Sequence, residues 1–198
     1  MRLYSPKDIE PEPEEGLSSH RTETVFLLEL WDWMKLLAIS LLAVVLLHQY
    51  GFHLSTVKGA SMQPTLQEGE WLFINKTIRF TGSPKQGDII VLREPAGSDT
   101  RHPYLVKRVV AVGGDEVHIR GGRLYVNGSP LEESYTNTLI EDGRFEPYMI
   151  MEGHLFVMGD NRHRYASNDS RSFGAVPISN VEGRGEMIVW PPNQWRSL

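Results

Sequence analysis

From residue 51 onward the apolar residues come in short runs, many of them alternating with polar residues, and Gly, Pro, Asn or Asp interrupts them at close intervals. That texture predicts antiparallel strands, because helical spacing is scarce and turn-forming residues recur every few positions. The runs place strands at residues 54–58, 71–75, 88–92, 104–112, 116–119, 124–126, 155–158 and 186–190. The stretch from His118 to Val126 reads as a tight hairpin, since Gly121 and Gly122 supply the positive φ that a two-residue turn requires. Residues 129–153 hold Glu132, Glu133, Glu141, Asp142 and Pro147, and are expected to decorate the core as a loop-rich insertion.

The amino-terminal part has a different pattern. Residues 1–21 mix Asp8, Glu10, Glu12, Glu14 and Glu15 with Pro6, Pro11 and Pro13, too little apolar area to offset the entropy of ordering, and predict a flexible acidic tail. Residues 22–52 predict a membrane anchor. Its apolar centre, residues 36–47, is 12 residues long, short of the roughly 20 that a bilayer asks for. Extension to residues 34–50 gives 17, with Lys35 able to snorkel and Trp31, Trp33, Tyr50 and Phe52 placed as interfacial rings. The preceding region is long and acidic, and no small-x-small site follows before Gly59-Ala60-Ser61, so an uncleaved anchor fits better than a removed leader. Arg21 and Lys35 on one flank against Lys58 on the other give a thin bias toward a cytoplasmic amino terminus.

Composition narrows the chemistry. A net charge of −5 without a basic stripe removes the electrostatic footprint of a nucleic-acid binder. The absence of cysteine excludes disulfides, thiolate metal sites and a thiol nucleophile. The 7 histidines show no HExxH spacing, and His102 and His163 sit in polar loops, so neither a metal nor a cofactor is expected. GxSxG is also missing, which disfavours a histidine-based triad.

Three segments remain as candidate chemistry. Ser61 lies in Gly59-Ala60-Ser61-Met62-Gln63-Pro64-Thr65-Leu66, a turn in which an isolated serine is ordinarily a capping residue. Lys107 lies inside the apolar run 104–112. Buried, its amine would lose affinity for a proton and act as a base near neutral pH; at a strand edge it would simply face water, and periodicity does not choose. Residues 158–162 and 167–174 are dense in Asp, Asn, Arg and Ser, which suggests either an ordered polar loop held by Arg–carboxylate pairs or a solvated turn.

In this order and behind an anchor, these segments resemble the type I signal peptidases, membrane serine proteases with a Ser/Lys dyad. Ser61-Met62-Gln63-Pro64-Thr65-Leu66 is similar to the family's nucleophile box and Lys107-Arg108-Val109-Val110 to its general-base box. Gly159-Asp160-Asn161-Arg162 with Ser167-Asn168-Asp169-Ser170-Arg171 is similar to its signature loop, and Gly87-Asp88-Ile89-Ile90-Val91 and Gly174-Ala175-Val176-Pro177 extend the likeness. The resemblance implies a mainly β, antiparallel, barrel-like catalytic domain over residues 53–198, outside the cytoplasm, with a single spanning helix in the cell membrane. It implies Ser61 as nucleophile and, through its backbone N–H, oxyanion donor, with Lys107 as general base. Ser167 would orient the lysine, and Asp160, Asp169 and Arg171 would support the loop. Val57, Gly59, Met62, Leu66 and Val106 would line substrate pockets for small side chains. The substrates would be preproteins bearing signal peptides, and the other partner the lipid bilayer.

The chain departs from the family pattern in three places. Gly59 stands where some members carry a hydroxyl; Ala111 and Gly113 stand where Gly and Pro are common; and two extra residues separate Arg162 from Ser167, so that Ser170 or Ser172 is an alternative lysine partner. The rival readings are a LexA-like self-cleaving Ser/Lys protease and a catalytically inert, membrane-anchored β binding module.

Overall fold

The computed structural model describes residues 17–95, 104–141 and 143–198. Most of the acidic tail, His102 and Asp142 therefore lie outside the described residues. The chain divides into two units at Leu46.

The first unit holds helix α1, Leu17–Leu46. The helix begins inside the segment read as tail. Residues Phe26–Gly51 are an apolar stretch of 26 residues whose most apolar 18-residue window has mean hydropathy 1.9, and Leu47–Gly51 form a π-helical turn. At 1.5 Å per residue the α-helical part, residues 26–46, measures about 31 Å, enough to cross a hydrocarbon core of about 30 Å. Three of its polar side chains are paired locally: Ser40 Oγ donates to the Leu36 carbonyl at 2.7 Å, and Lys35 pairs with Asp32 at 2.9 Å.

The second unit is built of antiparallel strands. β1 is Phe52–Thr56, β2 Trp71–Asn75, β3 Ile89–Arg93, β4 Tyr104–Val112, β5 Glu116–Arg120 and β6 Arg123–Val126. β7 is Ser129–Pro130, β8 Phe145–Met149, β9 His154–Met158, β10 Val176–Pro177, β11 Val181–Trp190 and β12 Arg196–Ser197. Two one-turn helices, α2 (Ile78–Thr81) and α3 (Ser170–Phe173), interrupt them. The larger sheet runs β1-β2-β11-β3-β4-β9-β10, with β12 also laid on β11; the smaller runs β7-β6-β5-β8. The larger sheet ends at β1 and β10, and the unit is mainly β and antiparallel, as the sequence led one to expect.

The differences from expectation have local causes. Phe52, read as the last ring of the anchor, opens β1 opposite Asn75. Val57 leaves that ladder, and its N–H donates instead to the Glu70 carbonyl at 2.8 Å. Residues 145–149 of the supposed loop region form β8, a strand that tolerates Pro147 because it lies at the edge of the smaller sheet. β11 begins five residues before the apolar run that announced it, crossing Gly183 and Gly185. Gly183 is needed there, since a Cβ would come within 2.6 Å of Ile74 Cγ2 and 2.8 Å of the Asn75 carbonyl oxygen.

Three apolar clusters fill the unit. Ile89 and Val91 pack with Leu72, Ile74, Ile188, Val57, Met62 and Leu66, whereas their neighbours Ile90 and Leu92 join Val109, Leu155 and Val157. β3 is thus buried on both faces, as its unbroken apolar run requires. The third cluster joins Val117, Ile119 and Leu124 of the smaller sheet to Phe156 and Met158 of β9.

Candidate active site

β4 lies between β3 and β9, and its consecutive residues Lys107 and Arg108 project to opposite faces. Both are buried, at 2% and 8% exposure. The solvent-facing alternative for Lys107 is thereby removed. Its Nζ lies 2.7 Å from Ser61 Oγ. Burial lowers the Lys107 pKa to about 8, against the opposing pull of the Asp169, Asp160 and Glu94 carboxylates, with Arg171 adding to the lowering. An amine so placed gives up its proton closer to neutral pH than an exposed lysine does, and stands within hydrogen-bond reach of the serine hydroxyl.

The Ser61 turn is held from the signature loop. Asn161 donates twice, from its side chain to the Ala60 carbonyl at 3.0 Å and from its backbone to the Ser61 carbonyl at 3.0 Å. Gly159 packs so closely on this turn that a Cβ there would collide with the Ser61 carbonyl oxygen and the Ser167 hydroxyl. The Ser61 N–H makes no hydrogen bond among the described residues, which leaves it free to donate to a developing oxyanion. Gly59 has φ +79°, a conformation suited to glycine, and open space where a side chain would project.

Asp169 caps α3 and pairs with Arg171 at 2.8 and 2.9 Å, while also accepting from the Gly159 N–H at 3.2 Å. Burial would raise its carboxyl, but the hydrogen bonds and charge of Arg171 outweigh that and hold it below the usual range. Ser170 Oγ accepts from the Val157 N–H at 2.9 Å, and Ser172 Oγ donates to Asn168 and to the Asp169 carbonyl. Those contacts occupy both alternative serines away from Lys107. Ser167 Oγ is buried and forms no hydrogen bond of ordinary geometry, although it is near enough to Asp169 to help hold that carboxyl down. Its neighbour across the turn is Gly159, against the Ser61 carbonyl.

On the far face of β4 lies a network that sequence reasoning did not assemble. Asp160, fully buried, receives Arg108 Nε at 2.9 Å and Nη2 at 2.7 Å, and the Thr65 hydroxyl at 2.5 Å. The Arg108 guanidinium also donates to the Gly87 carbonyl at 2.7 Å and stacks 4.0 Å over the Tyr135 ring. Tyr135 donates to Glu133 at 2.8 Å; burial first, and then the Glu133 charge, raise its phenol. Glu133 in turn receives both terminal nitrogens of Arg162, whose Nε donates to the Gly159 carbonyl at 2.8 Å. Glu133 and Tyr135, read as decoration, are therefore part of the site's support.

The proposed pocket residues divide. Val57, Met62 and Leu66 are core residues, at 5%, 2% and 0% exposure, and Val106 packs against the same cluster. Leu66 is fully buried, in the same apolar cluster as Val57 and Ile188.

A family model described as signal peptidase, peptidase S26, matches residues 30–190. The chain belongs to this family. Signal peptidase I of Bacillus licheniformis is 34% identical over 177 residues, covering 84% of this chain and 92% of the relative. Signal peptidase I T of Bacillus subtilis (strain 168) is 33% identical over 175 residues, covering 83% of this chain and 88% of the relative. The crystal structure of a signal peptidase I from Enterococcus faecalis V583 aligns with 32% identity and a TM-score of 0.42, covering 51% of this chain and 95% of that one. As an S26 signal peptidase the chain is a peptidase, and its apolar amino-terminal helix is consistent with membrane anchoring.

Among the described residues no group of His, Cys, Asp or Glu is arranged to hold a metal ion. The buried polar residues, Glu70, Lys107, Arg108, Asp160, Arg162, Asp169 and Ser170, all belong to the segments that carry or brace the Ser61 turn. Asp169 finds Arg171 two residues on, but Arg162 reaches Glu133, Lys107 Ser61, Arg108 Asp160 and Glu70 Arg196 across 29 to 126 positions, too far for any motif spacing to expose them.

Proposed function

We propose that this chain is a membrane-bound serine endopeptidase that removes signal peptides from exported preproteins, with Ser61 as nucleophile and Lys107 as general base. The observation that carries the reading is the 2.7 Å contact between Ser61 Oγ and the amine of a lysine 2% exposed. In the neutral form, Lys107 accepts the Ser61 proton as Oγ attacks the scissile carbonyl. The carbonyl oxygen takes the negative charge and receives the Ser61 N–H. Collapse breaks the peptide bond, Lys107 returns its proton to the departing amine, and an ester to Ser61 remains. Lys107 then deprotonates a water that attacks this ester, and its proton goes back to Ser61. Ser167, a buried hydroxyl without a partner of ordinary geometry, is the residue proposed to steady the lysine once the hydrogen bond to Ser61 has been given up.

Substrate would bind as an extended strand. β4 pairs with β3 over Tyr104 to Arg108, but with β9 only from Arg108 onward, so its first residues keep an open edge beside Lys107 among the described residues. An added strand satisfies that edge and presents alternate side chains to the surface over Val57, Met62 and Val106. Packing that leaves these residues 5% exposed or less, in the case of Val57 and Met62, favours small side chains at the first and third positions before the cut. Residues 22–52 would hold the enzyme in the cell membrane, with the amino terminus cytoplasmic, residues 53–198 outside the cytoplasm, and no role for nucleic acid.

The test is cleavage of a preprotein by the full chain in detergent, with mass spectrometry of the cut site. Ser61→Ala and Lys107→Ala each abolish cleavage while the circular dichroism of the β unit is kept. Near wild-type activity in either variant would overturn the dyad, and an intact wild-type chain that never cleaves would favour a binding module.

A further inference from the structure

The carboxy-terminal strand, beyond the residues matched by the family model, contributes to the Ser61 turn. After Trp190 the chain reverses and returns as β12, with Arg196 opposite Ile188 and Ser197 opposite Met187. Trp195 Nε1 donates to the Val189 carbonyl at 2.6 Å, and the Leu198 N–H to the Glu186 carbonyl at 2.9 Å, so the return is fixed at both ends.

From this strand the Arg196 guanidinium reaches two groups at once. One terminal nitrogen donates to Glu70 Oε1 at 2.9 Å; the other donates to Glu70 Oε2 at 3.0 Å and to the Thr65 carbonyl at 2.7 Å. Glu70 is 2% exposed, and its Oε2 also accepts the Gln67 N–H at 2.8 Å. The turn is therefore tied through Arg196 and Glu70 at residues 65 and 67, just as Asn161 ties it at residues 60 and 61.

What lies on this side of the turn is space. A cavity of ≈ 780 Å³ is bordered by Thr65, Glu70, Arg108, Tyr135, Trp195 and Arg196 among others. Met62 and Leu66 fix the other side of the turn in the apolar core, whereas on this open side the ties are polar. Thr65 lies four residues after Ser61 in the same hydrogen-bonded turn, closed by the Gln63 N–H to Ala60 carbonyl bond at 3.2 Å and the Leu66 N–H to Met62 carbonyl bond at 3.0 Å. Within so short a turn, the tie at Thr65 bears on the placement of Ser61.

We propose that Arg196 is a positioning residue that, with Glu70, sets the aim of Ser61 Oγ toward Lys107 and the scissile carbonyl. The proposal rests on the reading of Ser61 as nucleophile. Lysine cannot replace Arg196 fully, because a single ammonium lacks the planar fork that spans Glu70 and the Thr65 carbonyl together.

The experiment compares wild type, Arg196→Ala, Arg196→Lys, Glu70→Gln and Ser61→Ala as full chains in detergent, with preprotein cleavage normalised to folded protein and Tm measured in parallel. Arg196→Ala lowers kcat about 10- to 100-fold, the scale expected for misplacing a reacting atom. KM stays within about two-fold and the pH transition of activity is unmoved, with Arg196→Lys and Glu70→Gln intermediate. A lower Tm with unchanged kcat per folded molecule would show a merely structural tie and overturn the proposal. Should Arg196→Ala not fold, wild-type kcat in both Arg196→Lys and Glu70→Gln overturns it equally. Cleavage by Ser61→Ala would instead refute the nucleophile assignment, whatever Arg196 does.

Discussion

Arg108 and Asp160 form a two-pronged ion pair on the face of β4 turned away from Lys107, and the same Asp160 carboxylate holds the hydroxyl of Thr65 behind the nucleophile turn. One buried pair thus links the strand that carries Lys107 to the segment that carries Ser61. Asp160→Ala leaves the guanidinium buried without its counter-charge, a change that costs about 3–5 kcal/mol. Urea unfolding of the purified chain measures it, and a loss below about 1 kcal/mol would mean that the pair is dispensable.

Activity is expected to rise with pH. Because burial sets the Lys107 pKa at about 8, the fraction of base-competent amine grows about tenfold per unit below that value and levels off above it. The dependence of kcat/KM on pH checks this, and a flat profile from acid to alkaline would count against the lysine.

The same shift has a thermodynamic side. Unfolded, Lys107 titrates near 10.5 and, folded, near 8, so between these values the unfolded chain binds more protons and the contribution of Lys107 to stability rises with pH. Below 8 the folded protein carries a buried ammonium, and folding with Lys107 charged is about 3 kcal/mol less favourable than folding with it neutral. Lys107→Met, of similar length and uncharged, is therefore expected to keep or raise Tm at pH 7 while losing activity. A large fall in Tm would show that the charged form is stabilised by its acidic neighbours.

Ser167→Ala removes a buried hydroxyl that makes no hydrogen bond of ordinary geometry. Stability should change by less than about 1 kcal/mol, since no bond of normal strength is lost. If Ser167 steadies the lysine during turnover, kcat falls by about 10-fold or more at unchanged Tm; wild-type kcat would remove it from the mechanism.

Leu66→Ala tests the division between core and pocket. With no exposure at Leu66, the expected cost is about 2–5 kcal/mol from the cavity left behind. Cleavage-site preference on a set of preproteins should not change, and a relaxed preference would restore Leu66 to the pocket.

The hairpin at Gly121-Gly122, the apolar anchor and the run 104–112 were legible in the sequence because each is a local matter: turn dihedrals, hydropathy, strand propensity. β8 and the first half of β11 were not, because Pro147 and Gly183 read as breakers, and the sheet edge and the close approach of Ile74 that admit them are tertiary facts. The support of the site was hidden for the same reason. Nothing near Glu133 in sequence announces Arg162, nor anything near Glu70 Arg196, and a carboxylate acquires its meaning only from the cation that folding delivers.

By itself, then, the sequence determined an apolar amino-terminal helix followed by antiparallel strands and the candidate pair Ser61 and Lys107, because short-range periodicity and motif resemblance carry that information. The tertiary structure alone decided that Lys107 is buried against Ser61 with Arg108 sent to the other face. Which side of a strand meets the interior depends on its neighbours on both flanks, and only desolvation by those neighbours loosens the hold of an ordinary lysine on its proton.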